Sequence, residues 1–317
     1  MAGFVLRRAL TALVMLWVVG TIVFSVLFLV PGDPAELLLT SGGSTATQEA
    51  IHNLRVKMGL DRPVAAQYVA FVADTAKLDF GRSLIDDTPV STTIAQRLPR
   101  TLELIFAAAV IALGTGIPAG TYAGLNAGGR FDRIVSGLNA LLISVPGFVT
   151  GTLFIYFFAQ FLGVLPAGGY VAFFQHPWMH LQMLILPAVT VALHLFSIIF
   201  RMTRASVLEM RSHDWVRTAV AKGLRRRLVV RRHVLRNALG PVVTVVGLQM
   251  GILLGSTVLV EFIYNWPGLS GYLVTAVEQR DYPTVRAVIL TVAAIFIAIN
   301  FVVEVIYSLL DPRIRLS

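Results

Sequence analysis

Three sets of residues in this sequence have types and spacings that can do chemistry. His176 and His180 lie four residues apart, a spacing that on a helix turns two imidazoles toward one metal ion. Pro177 stands between them in a stretch rich in turn-forming residues, so no metal site is expected there. Gly268-Leu269-Ser270-Gly271 sets a serine between glycines as in some membrane-embedded proteases, but a nucleophilic serine needs a base within hydrogen-bond reach. The one histidine inside an apolar stretch is His194, nothing brings it to Ser270, and Pro267-Gly268 reads as a plain turn. The third set is the ionisable residues of the apolar stretches, Glu103, His194 and Glu304, which are costly in hydrocarbon and therefore mark candidate functional positions. Glu103 and Glu304 fall near the ends of their stretches, within reach of water. His194 lies deeper, either lining a substrate path or held neutral by a backbone carbonyl.

Other chemistry is excluded. No GxxxxGK[ST] occurs, and none of the three lysines, Lys57, Lys77 and Lys222, precedes Ser or Thr, so the chain is not expected to cradle and hydrolyse a nucleotide by itself. There is no HExxH and no cysteine, which removes that zinc motif, thiolate sites and disulfides. No catalytic residue, metal or bound cofactor is expected in this chain.

The elements carrying these residues are set by composition. Of 317 residues, 56% are hydrophobic and 14% charged, where a soluble protein carries about 25% charged. This is the profile of an integral membrane protein. The net charge of +9 reads as the cationic bias of cytoplasmic loops rather than a nucleic-acid surface, so the expected medium is the lipid bilayer. A spanning helix needs about 20 apolar residues. Ala9–Val30, Leu104–Leu125, Ile134–Leu162, Leu181–Phe200, Asn237–Val260 and Val288–Leu310 meet that need, giving six transmembrane helices and an all-α fold. The first reads as a retained signal anchor, since Val30-Pro31-Gly32-Asp33-Pro34 offers no small-residue cleavage site. With the N-terminus inside, 17 of the 26 Lys and Arg fall on the inner side, so both termini are expected in the cytoplasm.

The organisation follows: residues 1–30 as an N-terminal transmembrane helix, 31–98 as an extracytoplasmic insertion, and 99–311 as a transmembrane core with a cytoplasmic loop at 202–236. Within the insertion, Thr47–Lys57 and Pro63–Leu78 show helical spacing of apolar residues. Gly116, Gly120 and Gly124 recur every fourth residue, as do Gly247, Gly251 and Gly255; such strips admit close helix approach, either within the chain or against a second subunit. The cytoplasmic loop holds eleven cations from Arg201 to Arg236, and topology alone does not call for its other features. Trp215 beside Arg217, the small Ala219 and Ala221, and a glycine stop at Gly223 describe a short helix built to seat in a partner's groove.

That loop, Asp214-Trp215-Val216-Arg217-Thr218-Ala219-Val220-Ala221-Lys222-Gly223-Leu224, continuing to His233-Val-Leu-Arg-Asn-Ala-Leu-Gly-Pro241, resembles the EAA loop of ABC importer permeases. Arg217 and Thr218 stand where the general motif has glutamate and alanine, and the interval from Gly223 to Pro241 is long; both traits resemble the dipeptide/oligopeptide/nickel branch. Gly240, where leucine usually precedes the proline, is a local departure. Gly59-Leu-Asp-Arg-Pro63, Asp79-Phe-Gly-Arg-Ser83, Leu98-Pro-Arg-Thr-Leu-Glu-Leu104, Arg201-Met-Thr-Arg204, Glu261-Phe-Ile-Tyr-Asn-Trp-Pro-Gly268, Arg280-Asp-Tyr-Pro283 and Asp311-Pro-Arg-Ile-Arg315 fit that branch in order, as its first (B-type) transmembrane subunit.

The resemblance implies a type I ABC importer transmembrane fold and a permease subunit that is not itself an enzyme. It implies a second homologous permease, ABC ATPase subunits that bind ATP and Mg, and an extracytoplasmic substrate-binding protein. Asp214, Trp215, Arg217, Thr218, Ala219, Ala221, Lys222 and Gly223 would then couple to the ATPases. Asp86, Asp87, Trp266, Arg280 and Asp281, all on the outer side, would contribute to binding-protein docking, and His194 is the candidate for the translocation path. The rival reading is an ion-coupled secondary transporter or channel, for which Pro118, Pro146 and Pro187 could supply broken helices.

Overall fold

The computed structural model describes residues 2–29, 33–40 and 47–310. Most of the turn at Pro31-Gly32, the Glu304 side chain and the terminal Asp311–Arg315 motif lie outside the described residues. The described helices are α1 (Ala2–Leu29), α2 (Pro34–Thr40), α3 (Gln48–Lys57), α4 (Val64–Ala76), α5 (Val90–Leu125), α6 (Arg130–Ser144), α7 (Gly147–Phe154), α8 (Pro177–Ser212), α9 (Asp214–Ala221), α10 (Arg226–Val229), α11 (Arg236–Ile263), α12 (Leu269–Glu278) and α13 (Tyr282–Leu310). Wider π turns extend α7 through Ile155–Phe161 and join α10 to α11 through Val230–Leu235. Two compact units result, Met1–Leu98 with Tyr272–Ala298, and Pro99–Gly271 with Ile299–Ser317.

Among the described residues, five uninterrupted helical stretches are long and apolar enough to cross a membrane, within α1, α5, α8, α10–α11 and α13. The expected third span is not one helix. It breaks between α6 and α7 with a bend of 105°, and the pair counts as a sixth span only when taken together. The cause is local. Proline crowds the residue before it out of the helical region, and Val145 sits at φ −93, ψ 123, with Pro146 opening α7. Pro99, Pro118, Pro187 and Pro241 instead lie inside continuous helices, which begin before the expected span limits.

In the first unit, α4 packs on α1. The Thr21 and Tyr68 hydroxyls lie 2.8 Å apart, and buried Phe24 meets Tyr68 and Phe71 at ring separations of 5.3 and 5.4 Å. Thr47 caps α3 by accepting the Ala50 N–H, and Pro63 opens α4. Buried Asp281 caps α13 by accepting the Thr284 hydroxyl at 2.7 Å, and it also accepts the Leu84 N–H at 3.1 Å.

In the second unit, α8 is central, contacted by α6, α7, α9 and α11. The first glycine strip packs within the chain. A Cβ at Gly120 would stand 2.7 Å from the Phe200 carbonyl oxygen, and one at Gly124 would stand 2.9 Å from Val207 Cβ, so only glycine lets α5 lie this close to α8. In the second strip Gly247 and Gly251 are buried, while the Gly255 Cβ direction is open.

Candidate functional site

The segment expected to face the ATPases is built from the end of α8 to the start of α11. Helix α9 presents two faces. Val216 and Ala219 point into a cluster with Val207 of α8, Val229 of α10, Val234 of the π turn that joins α10 to α11, and Ala238 of α11. Asp214, Trp215, Arg217, Thr218, Ala221 and Lys222 are exposed. The helix ends as the glycine predicted: Gly223 has φ +75, its N–H donates to the Val220 carbonyl at 2.9 Å, and the Leu224 N–H donates to the Ala219 carbonyl at 3.3 Å. This paired return of bonds is a left-handed helix stop that disfavours a residue with a Cβ. Trp215 is flanked by His213, stacked at 5.8 Å, and His233 at 6.4 Å, so the indole is held yet 39% exposed. The Asp214–Arg217 pair at 3.6 Å is solvent-exposed and adds about 0–1 kcal/mol.

Next to α9, the C-terminal end of α8 is braced to its neighbours. Arg204 meets Asp132 of α6 through a fork, with Nη2 to Oδ2 at 2.8 Å, and Asp132 also accepts the Gly128 N–H at 2.8 Å. Arg211 Nη1 donates to the carbonyls of Gly124 and Leu125 at 3.0 and 2.8 Å, satisfying the last turn of α5. These bonds tie the end of α8 to α5 and α6, and the α9 cluster ties it to α11.

At the other end of this unit, the α11–α12 turn is folded around a buried carboxylate. Glu261 accepts the Thr101 hydroxyl at 2.7 Å and the Gly271 N–H at 2.8 Å, while Thr101 accepts the Leu269 N–H at 2.7 Å. A Cβ on Gly268 would overlap the Glu261 carboxylate. The Trp266 indole donates to the Arg100 carbonyl at 3.0 Å and packs edge-on against Tyr170. His180 is buried between the Val171 carbonyl, 2.7 Å from Nδ1, and Glu103, 2.8 Å from Nε2. The Tyr264 hydroxyl lies 2.9 Å from Thr190 Oγ1 and 3.1 Å from the Gly151 carbonyl.

Residues 116–316 match the family described as binding-protein-dependent transport system inner membrane component, and residues 1–105 match the N-terminal family of the same transport-system membrane components. The chain belongs to this family. A glutathione transport system permease protein of Escherichia coli (strain K12) is 39% identical over 315 residues, covering 99% of both chains. A Sinorhizobium fredii protein named as a probable peptide ABC transporter permease is 36% identical over 318 residues, covering 99% of this chain and 100% of its own. A solved amino acid ABC transporter chain, at 16% identity, superposes with a TM-score of 0.51 over 70% of this chain and 94% of its own, which supports the fold. The protein is thus the multi-pass inner-membrane permease component of an ABC importer, working with ATPase and substrate-binding partners.

The permease places its sequence-predicted residues unevenly. Of the coupling set, Ala219 points into the chain's own core rather than outward, because the helical period puts it on the face of Val216. Trp266 and Asp281, expected on the docking surface, are buried at 2% and 3%, since one packs among aromatic rings and the other caps a helix. Asp86, Asp87 and Arg280 are exposed. Asp87 pairs with Arg82 at 2.9 Å and Lys57 at 3.3 Å; Lys57 first and Arg82 second hold its carboxyl below the usual carboxylate range. Thr88, through its hydroxyl and its N–H, does the same for Asp86. His194 is accessible on α8 and makes no hydrogen bond to described residues, so the backbone-bonded alternative does not hold. Ser270 is buried against the Leu254 carbonyl and Thr257, with no histidine among these partners, so the GxSG pattern is structural. Glu261 and the Asp132–Arg204 pair escaped the sequence reading as buried partners. An acidic residue within Glu261-Phe-Ile-Tyr-Asn-Trp-Pro-Gly268 was the available signal for the first.

Proposed function

We propose that the permease forms half of a translocation pathway for dipeptides and oligopeptides, a second homologous permease forming the other half. Access alternates between the two sides as partner ATPases, which hold the ATP and Mg, hydrolyse nucleotide. The observation that carries this reading is the two-faced α9: one face is locked in the core through Val216 and Ala219, and the other is free through Thr218, Ala221 and Lys222. Movement imposed on the free face is passed through that core to α8 and α11. The substrate class rests on relatives named for peptide and glutathione transport. Both termini in the cytoplasm follow from the arginine distribution, and an external signal from a reporter fused after Ser317 would overturn that orientation. His194, accessible on α8, is the candidate path-lining side chain.

Because the chain has no cysteine, single-site crosslinking tests the coupling face directly. A thiol-reactive photocrosslinker on Thr218→Cys should capture the ATPase subunit in the assembled complex, and the same reagent on buried Ala238→Cys should not. Failure to capture the ATPase from Thr218→Cys, Ala221→Cys and Lys222→Cys alike would refute the assignment.

A further inference from the structure

The unit built from the outer insertion and the start of α13 contains a cavity of about 930 Å³, in the size range of small-molecule sites. Its walls are the α3–α4 turn, α4, the loop that follows it and the first turns of α13. Several lining charges are satisfied by neighbours. Arg55 pairs with Asp33 at 2.6 Å, Lys57 and Arg82 share Asp87, and Asp79 accepts the Gly81 N–H. The side chains of Arg286, Asp74 and Arg62 have neither an ion-pair nor a hydrogen-bond partner among the described residues. Arg62 and Asp74 are exposed, whereas Arg286 is partly buried, its guanidinium 5.7 Å from the Phe71 ring centroid. The ring removes water from one face of that cation and offers a quadrupole in place of a counter-charge. Beside it the wall is apolar, with Phe24, Phe71, Ala287 and Leu290.

We propose that this cavity captures a short peptide in its zwitterionic form, the α-carboxylate on Arg286, the α-ammonium on Asp74 and an apolar side chain against Phe24, Phe71 and Leu290. The inference rests on the peptide reading above. A simple anion would leave Asp74 unanswered and a simple apolar solute would leave Arg286 and Asp74 both unanswered, whereas a zwitterion on an apolar stem meets these two charges and the apolar wall, and Arg62, exposed at the rim, stays solvated. Phosphatidylethanolamine carries the same pair of charges, so the test separates the two sources.

The complete importer, without binding protein, is titrated in phosphatidylcholine nanodiscs with trileucine, its C-terminal amide and its N-acetyl derivative, read by saturation-transfer NMR. Each capped peptide should bind about tenfold or more weakly than free trileucine, the worth of one charge-assisted bond. Arg286→Gln should bring trileucine down to the level of the amide and abolish the difference between them; Asp74→Asn should do the same for the acetyl derivative. Equal affinity of all three peptides for the wild-type complex overturns the proposal whatever the variants do. Wild-type affinity in both variants also overturns it, as does loss of peptide binding in phosphatidylethanolamine discs, which would make this a lipid site. Binding-protein-dependent uptake of trileucine into proteoliposomes, measured in parallel, keeps the two readings apart. Uptake without cavity binding refutes this inference alone, and absence of any peptide uptake refutes the substrate assignment beneath it.

Discussion

Gly223→Val confines its damage to the backbone. Gly223 has φ +75, and a Cβ added there meets nothing within 4 Å, so no neighbour is displaced. The cost is that of an L-residue in the left-handed region, roughly 1–2 kcal/mol, and a β-branched residue is a poor occupant of that region. The bonds that end α9, from Gly223 N–H to Val220 and from Leu224 N–H to Ala219, depend on this conformation. Relieving the strain loosens the last turn and frees Thr218, Ala221 and Lys222 from their fixed positions. A penalty of that size changes the ratio of ordered to frayed helix by about 5- to 30-fold, while the spans, anchored elsewhere, still insert. In proteoliposomes at matched expression, the ratio of solute transported to ATP hydrolysed should fall several-fold, or ATPase co-purification should weaken. Gly223→Asn should keep most of the coupling, because asparagine visits the left-handed region more readily. Wild-type coupling in Gly223→Val would refute the reasoning. Equal damage from both substitutions would show that backbone strain is not the cause.

Other perturbations follow from the same geometry. Gly120→Val drives a side chain against Phe200 and Thr203; overpacking of about 1–3 kcal/mol should lower the melting temperature of the purified complex, while Gly137→Val, where nothing lies within 4 Å, should leave it unchanged. Asp132→Asn strips Arg204 of its counter-charge, a loss of about 3–5 kcal/mol for a buried pair, less here because Arg204 keeps 32% side-chain exposure. The double variant Asp132→Leu/Arg204→Met should recover most of that loss in the same melting assay. Asp87→Lys should weaken binding-protein docking more at low salt than at high salt, since exposed charges are screened; unchanged affinity at every salt would remove this residue from the docking surface. The Asp86 and Asp87 pKa values are lowered, so their contribution is complete above the ordinary carboxylate value and is lost only as pH falls through the lowered ones. Docking measured from about pH 5 to 8 should therefore be flat with respect to these two groups.

Local signals in the sequence determined the spans, the helices of the insertion and the glycine stop. Uninterrupted apolar runs must be helices in a bilayer, because backbone groups there have no water to bond. Thr47, Pro63 and Gly223 then set helix ends through their own conformational preferences, and the observed α3, α4 and α9 begin or end beside them. Tertiary structure alone decided which neighbour each face meets. The Gly116–Gly124 strip had two possible partners until Phe200, Thr203 and Val207 were found against it. Trp266, Asp281 and Ala219 looked like contact residues by type and position, and they are buried because Tyr170 and Leu84 come to the first two across long sequence separations and the folded-back chain packs Val207 and Ala238 into the cluster around the third. The bend at Val145 was implicit in Pro146, since the proline limits its predecessor. That the chain turns by 105° there, while Pro118 and Pro187 leave α5 and α8 continuous, depends on how neighbouring helices accept the interrupted bonds, and those neighbours are chosen only in the folded protein.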